Sequence, residues 1–403
     1  MTVLSEYMKK INLEHWGYNE FEKELKRLIK LYNSKRNTYM FLYVSSFNPN
    51  LPSSLEQKDY YFIKDLIEKN ETNTSQNLDI YIETPGGSGT TAEEIVKLTR
   101  KNYDKVSFVI CGEAKSAGTI MAMSGDEILM TQTGSLGPID AQIVMHGNVV
   151  SAYDYIDWMN QKKKEAEKTG TLNPADVVIL SQITPGELNG VINSLKFAED
   201  LVKKWLNDYK FKNWETTETT HKPVTDRMRK SRATSIAKKL SNHNFWRTHG
   251  RSLKLEDLEE LGLRIVDLDD ENNKDIGEIV YKINMVCRMM LNMSNSYKIM
   301  CTSDQIISFN AQPNTQSNVQ QVIPDNIHNV ELDQECPNCG KVHKLYAKLI
   351  NNKQIDAEMS KKGRIPFPID NELKCECGFN INLQGVRSQI ESQFKKKYVK
   401  IIA

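Results

Sequence analysis

Four short apolar runs, each closing on a turn rich in small or turn-forming residues, constrain this 403-residue chain more than any other feature. They are YMFLYVSS at 39–46, LDIYIET at 78–84, VSFVI at 106–110 and EILM at 127–130. Between them lie segments with helical spacing: YYFIKDLIEK, the Ala92, Ile95 and Val96 stripe, and a small-residue stretch around Ala114–Met123. Strand and helix alternating through short connections predict an α/β fold, a parallel sheet with helices on its faces.

The rest of the chain is organised differently. Residues 1–37 alternate charged and apolar residues at helical spacing, and beyond residue 150 helices predominate. Leu188, Ile192, Leu195, Ala198, Val202 and Trp205 form one long stripe, and Ile276, Ile279, Val280, Ile283, Val286, Cys287 and Met290 another; LRIVDL at 263–268 reads as a further strand. From 301 to 330 the composition turns to Asn and Gln without apolar periodicity, which reads as a linker. The expected division is a domain over 1–300, a linker over 301–330 and a compact cysteine-containing unit over 331–403. No internal repeat of solenoid period is present.

Composition excludes several classes. Lys+Arg 53 against Asp+Glu 52 leaves a net charge of +1, so bulk charge does not drive binding to nucleic acid or an anionic membrane. No apolar run approaches the roughly 18 residues that span a bilayer. The N-terminal MTVLSEYMKKINLEHW has no apolar signal region, and the expectation is a cytoplasmic protein.

Three turns carry chemistry. Glu83-Thr84-Pro85-Gly86-Gly87-Ser88-Gly89 follows a strand and precedes a helix, and its glycines let the backbone turn sharply and expose N–H groups to an anion. It is neither a Walker A loop nor a full dinucleotide fingerprint. Glu113-Ala114-Lys115-Ser116-Ala117-Gly118-Thr119 places a serine at the first turn of a helix, where exposed N–H groups and the helix dipole suit a nucleophile that generates an oxyanion. The same position suits a plain N-cap. The third turn is Gly134-Ser135-Leu136-Gly137-Pro138-Ile139-Asp140.

Together these segments, LDIYIETPGGSGTTAEEI, CGEAKSAGTIMAMSGDEILM and GSLGPIDAQ, resemble the serine dehydrogenase proteinase family, a soluble relative of signal peptide peptidase A in the Clp-protease/crotonase superfold. The resemblance continues through 185–206 and 248–268, covers roughly 25–290 and leaves out the cysteine-containing tail. It implies a Clp/crotonase-like core, a homo-oligomer, and a serine peptidase acting on a peptide or protein substrate. Ser116 would be the nucleophile, and the backbone N–H groups of Gly87 and Ala117 the oxyanion hole. A Clp-type histidine is expected near Asp140, but the nearest is His146. Signal peptide peptidase A uses a downstream lysine instead, which directs attention to Lys162, Lys163, Lys164 and Lys168.

Helical spacing selects among these. Lys163 falls on the stripe of Ala152, Ile156, Met159 and Ala166, and a lysine facing an apolar site has its pKa lowered by desolvation, as a general base requires. A solvated helix face is the alternative reading of KKKEAEK, and His249 is the rival base.

The tail holds Cys336-Pro337-Asn338-Cys339-Gly340 and Cys375-Glu376-Cys377-Gly378. Two cysteine pairs, each followed by glycine, can surround a structural Zn²⁺ tetrahedrally, as in a zinc ribbon. His343 is a candidate substitute ligand that reads as incidental beside four cysteines, and Cys111, Cys287 and Cys301 read as core or linker residues. A second function remains open: a non-catalytic oligomeric scaffold or sensor whose zinc ribbon binds a protein or nucleic acid. A third is crotonase-like acyl-CoA chemistry, which shares the two-N–H oxyanion hole.

Overall fold

The structure is a computed structural model that describes residues 2–69, 73–139, 142–145, 148–181, 184–217, 220–246, 248, 250–311 and 328–394. By its internal contacts the chain divides into two compact units, residues 1–313 and 314–403.

In the first unit, helices α1 (Val3–Glu14) and α2 (Tyr18–Arg36) lead into β1 (Tyr39–Ser45), followed by α3 (Gln57–Ile67), β2 (Asn77–Glu83), α4 (Gly89–Asn102) and β3 (Lys105–Ile110). Then come β4 (Glu113–Ala114), α5 (Ala117–Ala122), β5 (Glu127–Met130), β6 (Ser135–Leu136), β7 (Gln142–Met145) and β8 (Asn148–Ser151). The helical part comprises α6 (Ala152–Thr169), α7 (Pro174–Leu180), α8 (Pro185–Trp205), α9 (Asp226–Ser241), α10 (His243–Trp246) and α11 (Leu255–Glu260). A short β9 (Val266–Asp267), α12 (Lys274–Met293), β10 (Ser296–Cys301) and β11 (Ile306–Asn310) close the unit.

Seven strands form the main sheet in the order β11-β10-β1-β2-β3-β5-β9. From β1 to β9 neighbouring strands run parallel, and β10 and β11 add an antiparallel edge. Both faces are covered, so the strands read as unbroken apolar runs, and the two-residue period sorts their side chains. Tyr39, Phe41 and Tyr43 join the core shared with α3, α4, α5, α8 and α9. Met40, Leu42 and Val44 join the opposite core, built from α1, α2 and α12. Burying a side chain such as Phe41 or Phe108 in these cores contributes about 2–3 kcal/mol.

Three sequence readings need correction. LRIVDL yields strand only at Val266–Asp267. The segment assigned to a linker from 301 begins inside the sheet, because Cys301 ends β10 and Ile306–Asn310 pairs with it as β11. The long stripe on α8 is buried only in its second half: Ala198, Val202 and Trp205 are in the core, whereas Leu188, Ile192 and Leu195 stay half-buried.

The second unit contains β12 (Asn329–Glu335), β13 (Val342–Lys348), α13 (Lys353–Lys361), β14 (Ile365–Pro366), β15 (Glu372–Lys374), β16 (Asn380–Asn382) and α14 (Gln384–Phe394). Strands β12 and β13 make one antiparallel hairpin, and β15 and β16 a second.

Candidate active site

The glycine loop leaves the carboxyl end of β2, the end of a parallel sheet where ligands bind in open α/β folds. Thr84 holds it to the next turn: its N–H donates to the Glu113 carbonyl at 2.9 Å, and its own carbonyl accepts from the Lys115 N–H at 2.9 Å. Its hydroxyl accepts the Gly86 N–H at 3.1 Å. Gly86 and Gly87 then take φ of 114° and 143°, a region closed to most residues with a side chain. Close approach demands glycine as well, since a Cβ on Gly87 would stand 2.4 Å from the Leu55 nitrogen. Leu55 brackets that glycine: its N–H donates to the Gly86 carbonyl at 2.7 Å, and its carbonyl accepts from the Ser88 N–H at 2.9 Å. The Ser88 hydroxyl then caps α4 by accepting from the Thr91 N–H at 3.1 Å.

Ser116 stands one residue ahead of α5, in the N-cap position, but makes no capping hydrogen bond. Its φ of 47° and ψ of −111° place a non-glycine residue in a strained backbone region, the kind of geometry that presents a serine at a strand-to-helix turn. Gly118 allows the turn to seat against the loop, because a Cβ there would be 2.6 Å from Thr84 Cγ2. The Gly87 and Ala117 N–H groups have no protein acceptor among the described residues. Two free backbone donors thus border a half-buried serine hydroxyl.

Ser116 and Gly87 line a cleft of about 670 Å³. Ser116, Gly86 and Gly87 lie on one wall, and Phe47, Leu51, Ile120, Ile139, Phe197 and Ala198 give it an apolar character. Such a cleft excludes water from part of a bound chain while leaving the hydroxyl accessible.

Sequence reasoning gave no role to four buried ionisable side chains near these turns. Glu83, at the end of β2, accepts from Tyr81, Asn284 and Arg288. Burial pushes its carboxyl above the usual range, against the opposing pull of Arg288. Gly112 makes room for it, since a Cβ there would lie 2.3 Å from the Glu83 carboxyl carbon. Lys115 turns away from its neighbour Ser116: its Nζ donates to Ser252 Oγ at 2.9 Å and reaches the Leu136 and Arg251 carbonyls at 3.4 Å. Burial holds that amine below the ordinary lysine range. Lys298 forms a fully buried ion pair with Asp59 at 2.7 Å. A lone lysine inside the apolar run SYKIMC was the available signal for that pair.

The lysines expected as general bases fall elsewhere. Lys163 is exposed on α6, because the Ile156, Met159 and Ala166 stripe is itself only half-buried. The apolar setting expected around its amine is therefore absent in the single chain, and it does not line the cleft. Lys164 and Lys168 are exposed too, and Lys162 pairs with Glu165 and Asp176 at 3.0 and 3.1 Å. Asp140, His146 and His249 lie outside the described residues.

In the second unit Cys336 and Cys339 occupy the turn after β12, and Cys375 and Cys377 the turn between β15 and β16. Gly340 and Gly378 adopt φ of 71° and 85°, closing each turn. All four sulfurs lie within 4.8 Å of one another, with Cys336–Cys377 at 3.7 Å and Cys339–Cys375 at 3.6 Å. Tetrahedral sulfurs at zinc-bond length stand about 3.8 Å apart, so the donor set fits a four-coordinate thiolate metal. The Asn338 amide and the Phe379 backbone N–H donate to the Cys377 sulfur and hold its thiol down at about 6. These four cysteines can hold a metal ion.

Part of the first unit is similar to known proteins. Residues 66–214 match the family model of the ClpP-like SDH-type serine proteinases. Two uncharacterised proteins of Methanocaldococcus jannaschii are similar to this chain. One is 25% identical over 190 residues, which is 47% of this chain and 51% of the relative. The other is 28% identical over 145 residues, 33% and 48% respectively. The chain thus spans about half the length of the curated relatives it matches. Among solved structures, two mutants of the 1510-N membrane-bound stomatin-specific protease align at 15% identity and a TM-score of 0.33. They cover 55% and 64% of this chain and 78% and 85% of theirs, and one is in complex with a substrate peptide. No helix among the described residues is long and apolar enough to cross a membrane. Residues 66–214, which hold the glycine loop and Ser116 alike, are thus similar to the ClpP-like SDH-type serine proteinases.

Proposed function

We propose that the chain is a serine peptidase that cleaves peptide bonds through an acyl-enzyme on Ser116. The observation that carries this reading is the strained Ser116 backbone set against Gly86, with the Gly87 and Ala117 N–H groups free beside it. Ser116 Oγ attacks the scissile carbonyl carbon, and the resulting oxyanion accepts from those two N–H groups. The tetrahedral intermediate collapses, the leaving amine takes up a proton, and water then hydrolyses the acyl ester.

Proton transfer is assigned to a lysine of α6, with Lys163 first. Since Lys163 lies outside the cleft of its own chain, this assignment calls for α6 to meet the cleft of a second copy in a homo-oligomer. The exposed apolar side chains around α7 support assembly: Val177, Val178 and Ile179 are 47%, 60% and 45% exposed. The cysteine cluster is assigned a structural Zn²⁺, held by Cys336, Cys339, Cys375 and Cys377, which frees the resulting ribbon to bind a protein or nucleic acid. Seven unpaired cysteines fit a cytoplasmic location.

A serine-reactive fluorophosphonate probe tests the reading. Wild-type chain should label and hydrolyse fluorescent casein, and Ser116→Ala should do neither while keeping its thermal unfolding profile. Hydrolysis by the folded Ser116→Ala variant would remove the nucleophile. A wild-type chain inert to both probe and casein, yet assembling normally, would favour the scaffold reading.

A further inference from the structure

We infer that the buried Lys298–Asp59 pair is a positioning device for the oxyanion-hole N–H of Gly87, an inference that rests on the peptidase reading above. Lys298 sits in β10 and Asp59 in α3, both with fully buried side chains 2.7 Å apart. One carboxylate oxygen of Asp59 collects three donors: Lys298 Nζ, the Tyr43 hydroxyl at 3.0 Å and the Glu56 N–H at 3.0 Å. Its other oxygen is buried with no hydrogen-bond partner among the described residues. An ion pair with an orphan oxygen is a poor way to gain stability, and apolar residues of similar volume would hold that core as well or better. The arrangement does something else.

Lys298 Nζ has a second bond, donated at 3.0 Å to the backbone carbonyl of Ser54. The next residue is Leu55, whose N–H and carbonyl bond the Gly86 carbonyl and the Ser88 N–H. Those two bonds use the groups just before and just after Gly87, so the Gly87 N–H is left on the opposite side, toward the cleft it shares with Ser116. Asp59, Lys298, the Ser54 carbonyl and Leu55 thus form one connected set of short contacts from the protein interior to Gly86 and Ser88, the two residues that flank Gly87. Among the described residues no other side chain donates to the Ser54 carbonyl. An oxyanion donor acts only when it is aimed before the reaction begins, which a buried tether achieves and a mobile loop does not.

The test separates aim from fold. The double variant Lys298→Met/Asp59→Leu fills the space with apolar atoms and removes the tether. It is compared with wild type in thermal unfolding, fluorophosphonate labelling, and kcat and KM on a peptide aminomethylcoumarin with an apolar residue before the scissile bond. The expected result is unchanged or higher unfolding temperature, KM within about threefold, and kcat lowered about 10–100-fold, the lower part of the range for a lost oxyanion donor. Affinity for a peptide aldehyde, which forms the tetrahedral adduct, should fall in step with kcat. A folded double variant with wild-type kcat overturns the inference. Should that variant fail to fold, Leu55→Pro removes the N–H that fixes the Gly86 carbonyl without touching the buried pair. It should give the same kcat loss, and wild-type kcat there overturns the inference equally. Wild-type chain that neither labels nor hydrolyses would overturn the peptidase reading itself, and this inference with it.

Discussion

Gly86 lies so close to Ser116 that a Cβ on the glycine would stand 2.7 Å from the serine Cβ and 3.4 Å from its hydroxyl oxygen. The contact joins the two turns that the chain sends up from β2 and β3, and it makes each turn the support of the other. Because Gly86 also has φ of 114°, Gly86→Ala meets both a backbone penalty and a collision. Strain of this kind costs about 1–3 kcal/mol. The expected outcome is a modest fall in unfolding temperature with activity and fluorophosphonate labelling reduced about 100-fold or more, the scale of a lost oxyanion donor. Full labelling by a folded Gly86→Ala chain would show that the two turns do not depend on each other.

The general base is tested by a set rather than a single change. Lys163→Met should lower kcat about 100-fold or more, the typical contribution of general-base catalysis. Lys162→Met, Lys164→Met, Lys168→Met and His249→Gln are the comparison variants. Mixing inactive Ser116→Ala with inactive Lys163→Met chains, under conditions that let subunits exchange, should restore part of the activity if α6 serves a neighbouring cleft. No restoration from freely exchanging subunits would argue against that arrangement, and loss confined to another variant would move the base there.

Much of this site was legible in the sequence, and its blind spots have physical causes. The motif around Ser116 and the glycine pair announces itself locally, because sharp turns after strands require small residues. Whether Ser116 caps its helix turns on its side-chain hydrogen bonding, which a sequence does not carry; in the structure it makes no capping hydrogen bond. Strands β10 and β11 escaped notice because Lys298 breaks one apolar run and Asn310 and its neighbours make the other look like linker. Lys163 shows the limit of helical periodicity. A stripe tells which residues share a face, but the burial of that face depends on what packs against it, and around α6 that packing is partial.

Glu83 gives the first unit a pH signature. Burial raises its carboxyl above the ordinary glutamate range, with Arg288 opposing. A carboxyl raised on folding binds its proton more tightly in the folded state. Its stabilising contribution is therefore complete below the unfolded pKa and is lost as pH rises through the folded one. Glu83→Gln removes that titration. In urea unfolding from pH 4 upward, wild type should lose stability relative to Glu83→Gln as pH rises. A difference between the two that stays flat across the range would show that Glu83 titrates alike in folded and unfolded chain.

The cysteine unit makes the sharpest stability prediction. Its small core includes two of the four cluster cysteines themselves, Cys336 and Cys375, beside Leu345, Phe367, Leu373, Ile381 and Leu383. A unit of this size seldom folds on such a core without a staple. Structural zinc binding contributes about 10–16 kcal/mol in small metal-dependent folds, enough to decide whether the two hairpins form at all. Purified chain should contain close to one zinc per subunit. Stripping it with a strong chelator, or introducing Cys336→Ser or Cys375→Ser, should open the tail beyond about residue 328 to protease while the first unit stays resistant. The reason for that separation is that, among the described residues, the first unit has two cores of its own built from residues 1–313 alone. Mass spectrometry of the fragments reads the boundary directly. A metal-free tail that resists protease would refute the structural-zinc assignment, and loss of the first unit along with the tail would refute the independence of the two.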